Sequence, residues 1–374
     1  MAAMTTDLVS RKECGVFYST LINYKRKDGD DMKKDFTRLM VAIKYILVIV
    51  LFLSILAPSA FPCTGVFMDK GGVKLVGRTM DWPVGDGNVF INERGIKKTA
   101  DKLQDGSDPT KWTAEYGTVT FNLEGKFNWF VKLYLKIARM KSSAPTCGMN
   151  EKGLWGGGFW IHPPPAVKYP AKDGRVSIND YQLLEYLLDT SSNVDEAVNN
   201  LKKVRVSAFD EGGFEVDLHW FLADASGDSV IIEFPNGILK VHRNPVPPVI
   251  TNSFYEHSRE YLGQFKGFRG TKEIPLEKGE TTSENRFAFA SYSLGRAEAE
   301  NRLTPGDMFG IMKTVTQTDV RHAQTSQSVT QWTTVYDLNN KKFWWFSRKH
   351  PEKRSVDLNK TDFKMTGKIR KLDF

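Results

Sequence analysis

The chain has 374 residues, 41% hydrophobic and 26% charged, and carries a formal net charge of +8. That composition excludes the disordered and fibrous classes and supplies enough apolar material for one large core or two. The basic excess gathers in two flanks, residues 25–38 and the tail 341–371, with mixed signs between them and no RNP, zinc-finger or P-loop pattern. The charge therefore reads as export signal plus solvated surface, and no nucleic-acid partner is expected.

In chain order, residues 1–31 are polar and read as a dispensable or mis-annotated leader, with Met32 as the alternative start. Residues 32–62 combine a basic start, an apolar run near 46–56 and small residues such as Ala57 and Ser59, the layout of a secretory signal with a short pro-segment. The run falls short of the about 20 apolar residues a membrane helix needs, so membrane contact is expected only through the signal. A periplasmic or secreted product follows; a retained anchor is the alternative. Past this point no linker or repeat interrupts the chain, and a single domain with a basic C-terminal tail is expected over 63–374.

CTGVFM and VKLVGRTM flank the turn-prone DKGG, a hairpin that starts at Cys63 and puts Arg78 on the partner strand. TCGM and GLWGGGFWI form a second hairpin around Asn150, Glu151 and Lys152. Ser177 with Asp180, and Ser192 with Asp195, are expected to cap two successive helices. Strands return in DLHWFLAD, SVIIEF, GILKVHR and PPVITN; helices follow over 285–299 and 305–316; and WTTVYDLNNKKFWWF closes as a hairpin with Asn339 and Asn340 at its turn. Strands, helices, strands, helices, strands is an order that suits antiparallel sheets covered by helices, an α+β fold.

Of three cysteines, Cys14 lies in the leader, leaving Cys63 and Cys147. They could pair with each other, or Cys63 could be a nucleophile. A free thiol, with a pKa of about 8.5, is mostly protonated at neutral pH and needs a base or a cationic neighbour. None of the six histidines, at 162, 219, 242, 257, 322 and 350, stands in a papain-like signature, and His219 reads as a core histidine; a Cys–His dyad stays open. The other route is the chain's own amino terminus. If processing leaves Cys63 first, its α-amine sits on the same residue as the thiol and accepts its proton. Arg78 could then stabilise the thiolate and Asp81 orient the amine, or the two could be a plain surface ion pair.

The ordered series CTG, GRTMDW, CGMNEKGLWGGGF, HWFLAD with SVIIEF, VITN and SENRF resembles the choloylglycine hydrolase and penicillin V acylase family of N-terminal nucleophile hydrolases, over residues 63–346. The resemblance implies a four-layer αββα sandwich of two antiparallel sheets, no metal or cofactor, and a homotetramer. It implies Cys63 as nucleophile, Arg78 and Asp81 as a charged pair beside it, Asn150 and Asn252 as oxyanion donors, and Arg286 completing the polar network. Local readings remain beside these: Asn150 and Asn252 as turn formers, Arg286 as a helix-surface charge. The implied reaction is hydrolysis of a linear amide through an acyl-thioester. The family's substrates include conjugated bile salts, penicillin V and N-acyl homoserine lactones, and the GRTMDW form, the signal and the aromatic content favour the last two. Trp82, Trp155 and Phe159, with Trp129, Phe130 and Trp160, are candidates for an acyl pocket, and 126–140 for a lid. The rival from another class is a non-catalytic, membrane-anchored envelope protein.

Overall fold

The computed structural model describes residues 63–82, 87–123, 145–161, 167–211, 214–215, 217–274, 282–317 and 329–372. The leader, signal and pro-segment of 1–62 and the lid candidate 126–140, with Trp129 and Phe130, lie outside the described residues. Strand β1 (Cys63–Lys70) and strand β2 (Val73–Trp82) form the expected hairpin. Lys70 pairs with Val73 across Gly71 and Gly72, whose φ values of +59° and +79° demand the left-handed region that glycine enters without a Cβ clash.

Four further strands follow, β3 (Gly87–Asn92), β4 (Lys97–Thr99), β5 (Lys111–Thr113) and β6 (Thr118–Leu123), the last with strict polar–apolar alternation in TVTFNL. β7 (Pro145–Asn150) and β8 (Trp155–Trp160) make the second expected hairpin. Ser177 does not cap a helix. It begins a short strand, β9 (Ser177–Asn179), and α1 (Asp180–Thr190) starts after it with Asn179 as N-cap. In α2 (Val194–Leu201) the cap is Asn193 rather than Ser192; its side chain accepts from the Glu196 N–H at 2.9 Å. Asn193 is the residue just before the first helical turn, from which an N-cap side chain reaches the third N–H, while Ser192 lies one residue outside it and accepts from Asn193 Nδ2.

The chain continues through β10 (Arg205–Ser207), the small β11 (Asp210–Glu211) and β12 (Phe214–Glu215), then β13 (Leu218–Ala223), β14 (Ser229–Glu233), β15 (Lys240–Arg243) and β16 (Val249–Ile250). Helix α3 (Tyr255–Leu262) comes next. It carries no periodic apolar signal, because YEHSREYL has polar residues through most of its length. Helix α4 (Ser283–Ala299) is capped by Thr282, and α5 (Pro305–Thr314) by a capping box between Thr304 and Asp307. The last strands are β17 (Val329–Asp337), β18 (Lys342–Ser347), β19 (Arg354–Asp357) and β20 (Ile369–Lys371). In the β17–β18 turn the left-handed residue is Lys341 (φ +52°), while Asn340 bonds back to Asp337 through its N–H and its amide.

Two large sheets result, both wholly antiparallel. One has six strands in the order β16-β1-β2-β17-β18-β19, and the other eight, in the order β15-β14-β13-β8-β7-β6-β3-β20. Helices α4 and α5 pack on the six-stranded sheet and α1 on the eight-stranded one. The fold is α+β, with the sheets face to face between helical layers. One core lies between the sheets and under α4 and α5, the other between α1, α2 and the eight-stranded sheet. The inner faces approach closely where β1 crosses β8. A Cβ on Gly65 would lie 2.7 Å from the Phe159 ring, so only glycine fits there.

Candidate active site

Alternation along β1 and β2 decides what surrounds Cys63. Cys63 pairs with Met80 and Gly65 with Arg78, so these side chains share the face turned towards the second sheet. Thr64 falls on the opposite face, under α4. Cys63 is thus the first residue of a central strand, 4% exposed, with its Sγ 3.6 Å from Met80 Sδ. Cys147 is a free thiol too, buried beside the Tyr336 hydroxyl on another strand, so the alternative of a Cys63–Cys147 bridge is not what the chain forms.

Two buried arginines reach this strand end from opposite sides. Arg78 donates to the Thr146 and Gly158 carbonyls of the second sheet, and its guanidinium lies 4.6 Å from the Phe159 ring centroid. Arg286, on the first turn of α4, donates to the Cys63 carbonyl and Thr64 Oγ1, each at 2.7 Å, and to Asn252 Oδ1 at 2.8 Å. The helix-surface reading of Arg286 is therefore replaced: the side chain is 1% exposed and belongs to the site.

Asn252 follows the two-residue strand β16. Its Oδ1 accepts from the Cys63 N–H at 2.6 Å, its Nδ2 donates to the Trp160 carbonyl at 2.5 Å, and its own N–H donates to Ser283 Oγ at 2.8 Å. One residue thus ties the start of β1, the end of β8 and the start of α4 together. Asp81 is fully buried; Thr330 donates to its Oδ1, and Oδ2 has no hydrogen-bond partner. Burial pushes its carboxyl up to about 7, against the pull of Arg286, Thr330 and Arg78. Burial likewise raises the Cys63 thiol; Arg78 pulls it down, the Asp81 carboxylate adds to the rise, and the Asp81 N–H and Arg286 oppose it. With Cys63 in mid-chain the thiol is held protonated, and activating it requires a base.

Asn150 is not part of this cluster. It ends β7 at the far turn of the β7–β8 hairpin, where Nδ2 donates to the Leu188 and Ser191 carbonyls and Oδ1 accepts from the Lys152 and Leu154 N–H groups. Five residues of β8 separate that turn from Trp160, roughly 17 Å at the rise of an extended strand. Rather than reaching Cys63 in this structure, the Asn150 side chain braces the turn through Oδ1 and ties it to the end of α1 through Nδ2. Trp155, fully buried, packs edge-on to Phe221 and against Tyr336 in the inter-sheet core. Phe159, also fully buried, supports the Arg78 guanidinium and meets His219 edge-on, so it stands behind the site rather than lining it.

Trp82 is half-buried, and its ring lies 5.8 Å from that of the equally half-buried Trp160. Among the described residues these two tryptophans, at the ends of β2 and β8, are partly exposed aromatic surface near Cys63 and Asn252. Sequence reasoning misses Thr64, Ser283 and Thr330 because a lone hydroxyl residue carries no local signal; each is recognisable only through its partner. Among the described residues no group of three or more His, Cys, Asp or Glu side chains is placed to hold a metal ion.

A family model for linear amide C–N hydrolases, the choloylglycine hydrolase family, matches residues 63–371, beginning at Cys63 itself. The chain is 26% identical to a penicillin V acylase of Pectobacterium atrosepticum over 318 residues, covering 78% of this chain and 79% of that protein. It is 24% identical to a bile salt hydrolase/transferase of Clostridium perfringens over 333 residues, covering 80% and 93%. Among solved structures, a conjugated bile acid hydrolase from Clostridium perfringens superposes with a TM-score of 0.67 at 21% identity, covering 83% of this chain and 97% of that one. A penicillin V acylase from Agrobacterium tumefaciens superposes at 0.63 and 25% identity, covering 83% and 91%.

Proposed function

The chain belongs to the choloylglycine hydrolase family of linear amide C–N hydrolases, and on that footing we propose that it is a cysteine-dependent acylase of the penicillin V or N-acyl homoserine lactone type. The observation that carries this reading is the convergence of Cys63, Arg78, Asp81, Asn252 and Arg286 on one strand end, drawn from separate stretches of the chain. Removal of residues 1–62 during export to the periplasm or medium would free the Cys63 α-amine, whose ordinary pKa of about 8 suits a general base far better than a buried thiol suits self-ionisation. Asp81 Oδ2, which has no partner, would accept from that amine.

In this reading the amine takes the thiol proton as Sγ bonds to the acyl carbonyl carbon. The Asn252 amide, already fixed beside Cys63, stabilises the oxyanion; a donor of this kind is worth about 2.7 to 4 kcal/mol of barrier. The C–N bond then breaks, the leaving nitrogen receives the proton, and water activated by the amine splits the thioester to release the acid. Trp82 and Trp160 offer the acyl group flat aromatic surface at the mouth, which favours a phenoxyacetyl or fatty acyl chain. Hydrolysis of conjugated bile salts is the second reading, on the likeness to the Clostridium perfringens enzyme across 93% of its length.

A panel of penicillin V, glycocholate and a long-chain acyl homoserine lactone, assayed with wild type and Cys63→Ala, tests the proposal. Turnover of the first or third that vanishes in the variant is expected; turnover that survives loss of the thiol sinks it. Mass spectrometry of active enzyme should find Cys63 first, with Phe61 and Pro62 removed.

A further inference from the structure

Behind the Asn252 loop lies a row of titratable side chains that the reaction itself does not use. His219 projects from β13, Glu233 ends β14, His242 lies on β15 and Glu256 opens α3. The His219 side chain is fully buried and that of Glu233 is 2% exposed. His219 Nδ1 lies 2.9 Å from Glu233 Oε1, and His219 Nε2 lies 2.9 Å from the Thr251 carbonyl oxygen. A carbonyl oxygen only accepts, so Nε2 carries a hydrogen and donates it. Glu233 Oε1 also accepts the Tyr255 N–H at 2.9 Å, and Oε2 meets His242 Nε2 at 3.0 Å. On its outer side, His242 Nδ1 faces Glu256 at 3.6 Å.

Only residues 251–254 separate β16 from α3, and they carry Asn252. Thr251, at one end of that loop, is gripped through its carbonyl by His219. Tyr255, just past the other end, is gripped through its N–H by Glu233. We propose that His219 and Glu233 are positioning residues for the reaction at Cys63: joined through Nδ1, they clamp both ends of loop 251–254 and so hold the Asn252 amide against Cys63. This rests on the hydrolase reading above. Burial alone would push the Glu233 carboxyl up, but the hydrogen bonds from His219, His242 and the Tyr255 N–H bring it down to about 2, so the clamp is anchored on a carboxylate. Charge-assisted bonds of this kind are shorter and about twice as strong as neutral ones. A displacement of about 1 Å in a reacting group costs on the order of 100-fold in rate, which is the scale of effect a loosened loop should produce.

Two isosteres separate clamping from simple core packing. In His219→Gln the amide N–H falls near the Nε2 position and keeps the bond to Thr251; in His219→Asn it falls near Nδ1 and keeps Glu233 but loses Thr251. With the best substrate of the panel, His219→Gln should keep roughly a third or more of the wild-type kcat, while His219→Asn loses about 10- to 100-fold in kcat with KM within about twofold. Equal kcat in the two variants, or a loss confined to KM, overturns the proposal. Should a variant fail to fold, ¹⁵N NMR of the wild-type imidazole decides: a protonated Nε2 is expected, and an unprotonated one overturns the clamp. Wild type inactive on every amide overturns the hydrolase reading and the clamp's role with it, whereas active enzyme without the Gln–Asn contrast overturns the clamp alone.

Discussion

Asp81 and Glu233 are both buried acids on strands of this sandwich, and they are held in opposite states. Glu233 receives three hydrogen bonds, from His219, His242 and the Tyr255 N–H, and sits at about 2. Asp81 receives one side-chain bond, from Thr330, keeps Oδ2 without a partner and sits at about 7, although two arginines are near enough to pull it down. Burial is comparable in the two places, so the number of donors decides. The acid that supports the loop is satisfied by the fold. The acid beside Cys63 is left in need of one more donor, which is the condition for binding a group that the mid-chain cysteine lacks.

Arg286→Met should disturb this contrast most severely. It leaves the Cys63 carbonyl, Thr64 Oγ1 and Asn252 Oδ1 without their shared donor and Asp81 without its main cation. Loss of one partner from a buried charge cluster costs about 3 to 5 kcal/mol. Chemical denaturation should show that loss, together with near-complete loss of turnover; a variant within about 1 kcal/mol of wild type would remove Arg286 from the network.

Asp81→Asn comes next in size. Between the ordinary value of 3.8 and about 7 the folded chain keeps a proton on Asp81 that the unfolded chain releases, so Asp81 makes stability fall as pH rises through that window. The total is on the order of 4 kcal/mol. In unprocessed protein carrying Cys63→Ala, the further change Asp81→Asn should leave stability alike near pH 4 and raise it near pH 8. Curves that run parallel across the window contradict the assignment.

Glu233 has the opposite sign. Its contribution is fully present above the ordinary value of 4.5 and disappears as pH falls towards about 2, a total on the order of 3 kcal/mol. Glu233→Gln should therefore lower stability at pH 7 and narrow its gap to wild type at pH 3, read by thermal melting at both pH values. A gap that widens in acid would show that the carboxylate is not the stabilising form.

The smallest effect on chemistry is expected at Asn150. Asn150→Ala removes four hydrogen bonds from the β7–β8 turn and should cost about 1 to 3 kcal/mol of stability while leaving the turnover rate within about twofold of wild type. Turnover slowed by about 100-fold or more, the scale of a lost oxyanion donor, would return Asn150 to the role that its motif suggested.

Local chemistry is legible in the chain before it folds. Alternating residues around Gly71–Gly72 set the β1–β2 hairpin, and with it the placement of Cys63 and Arg78 on one face, because strand period and turn chemistry act over a few residues. The order of the motifs is enough to identify the family and the α+β class. Long-range packing alone settles which end of each strand lies near Cys63. Asn150 and Trp160 sit ten residues apart in one hairpin, and nothing local says that the second reaches Asn252 while the first is spent on a turn. Arg286 reads equally well as surface or core until folding brings it, across a separation of 223 residues, to the Cys63 carbonyl. The two carboxylates differ for the same reason. Both lie on apolar strands, and their charge states follow from how many donors arrive from distant elements, a count made by packing and not by neighbours in sequence.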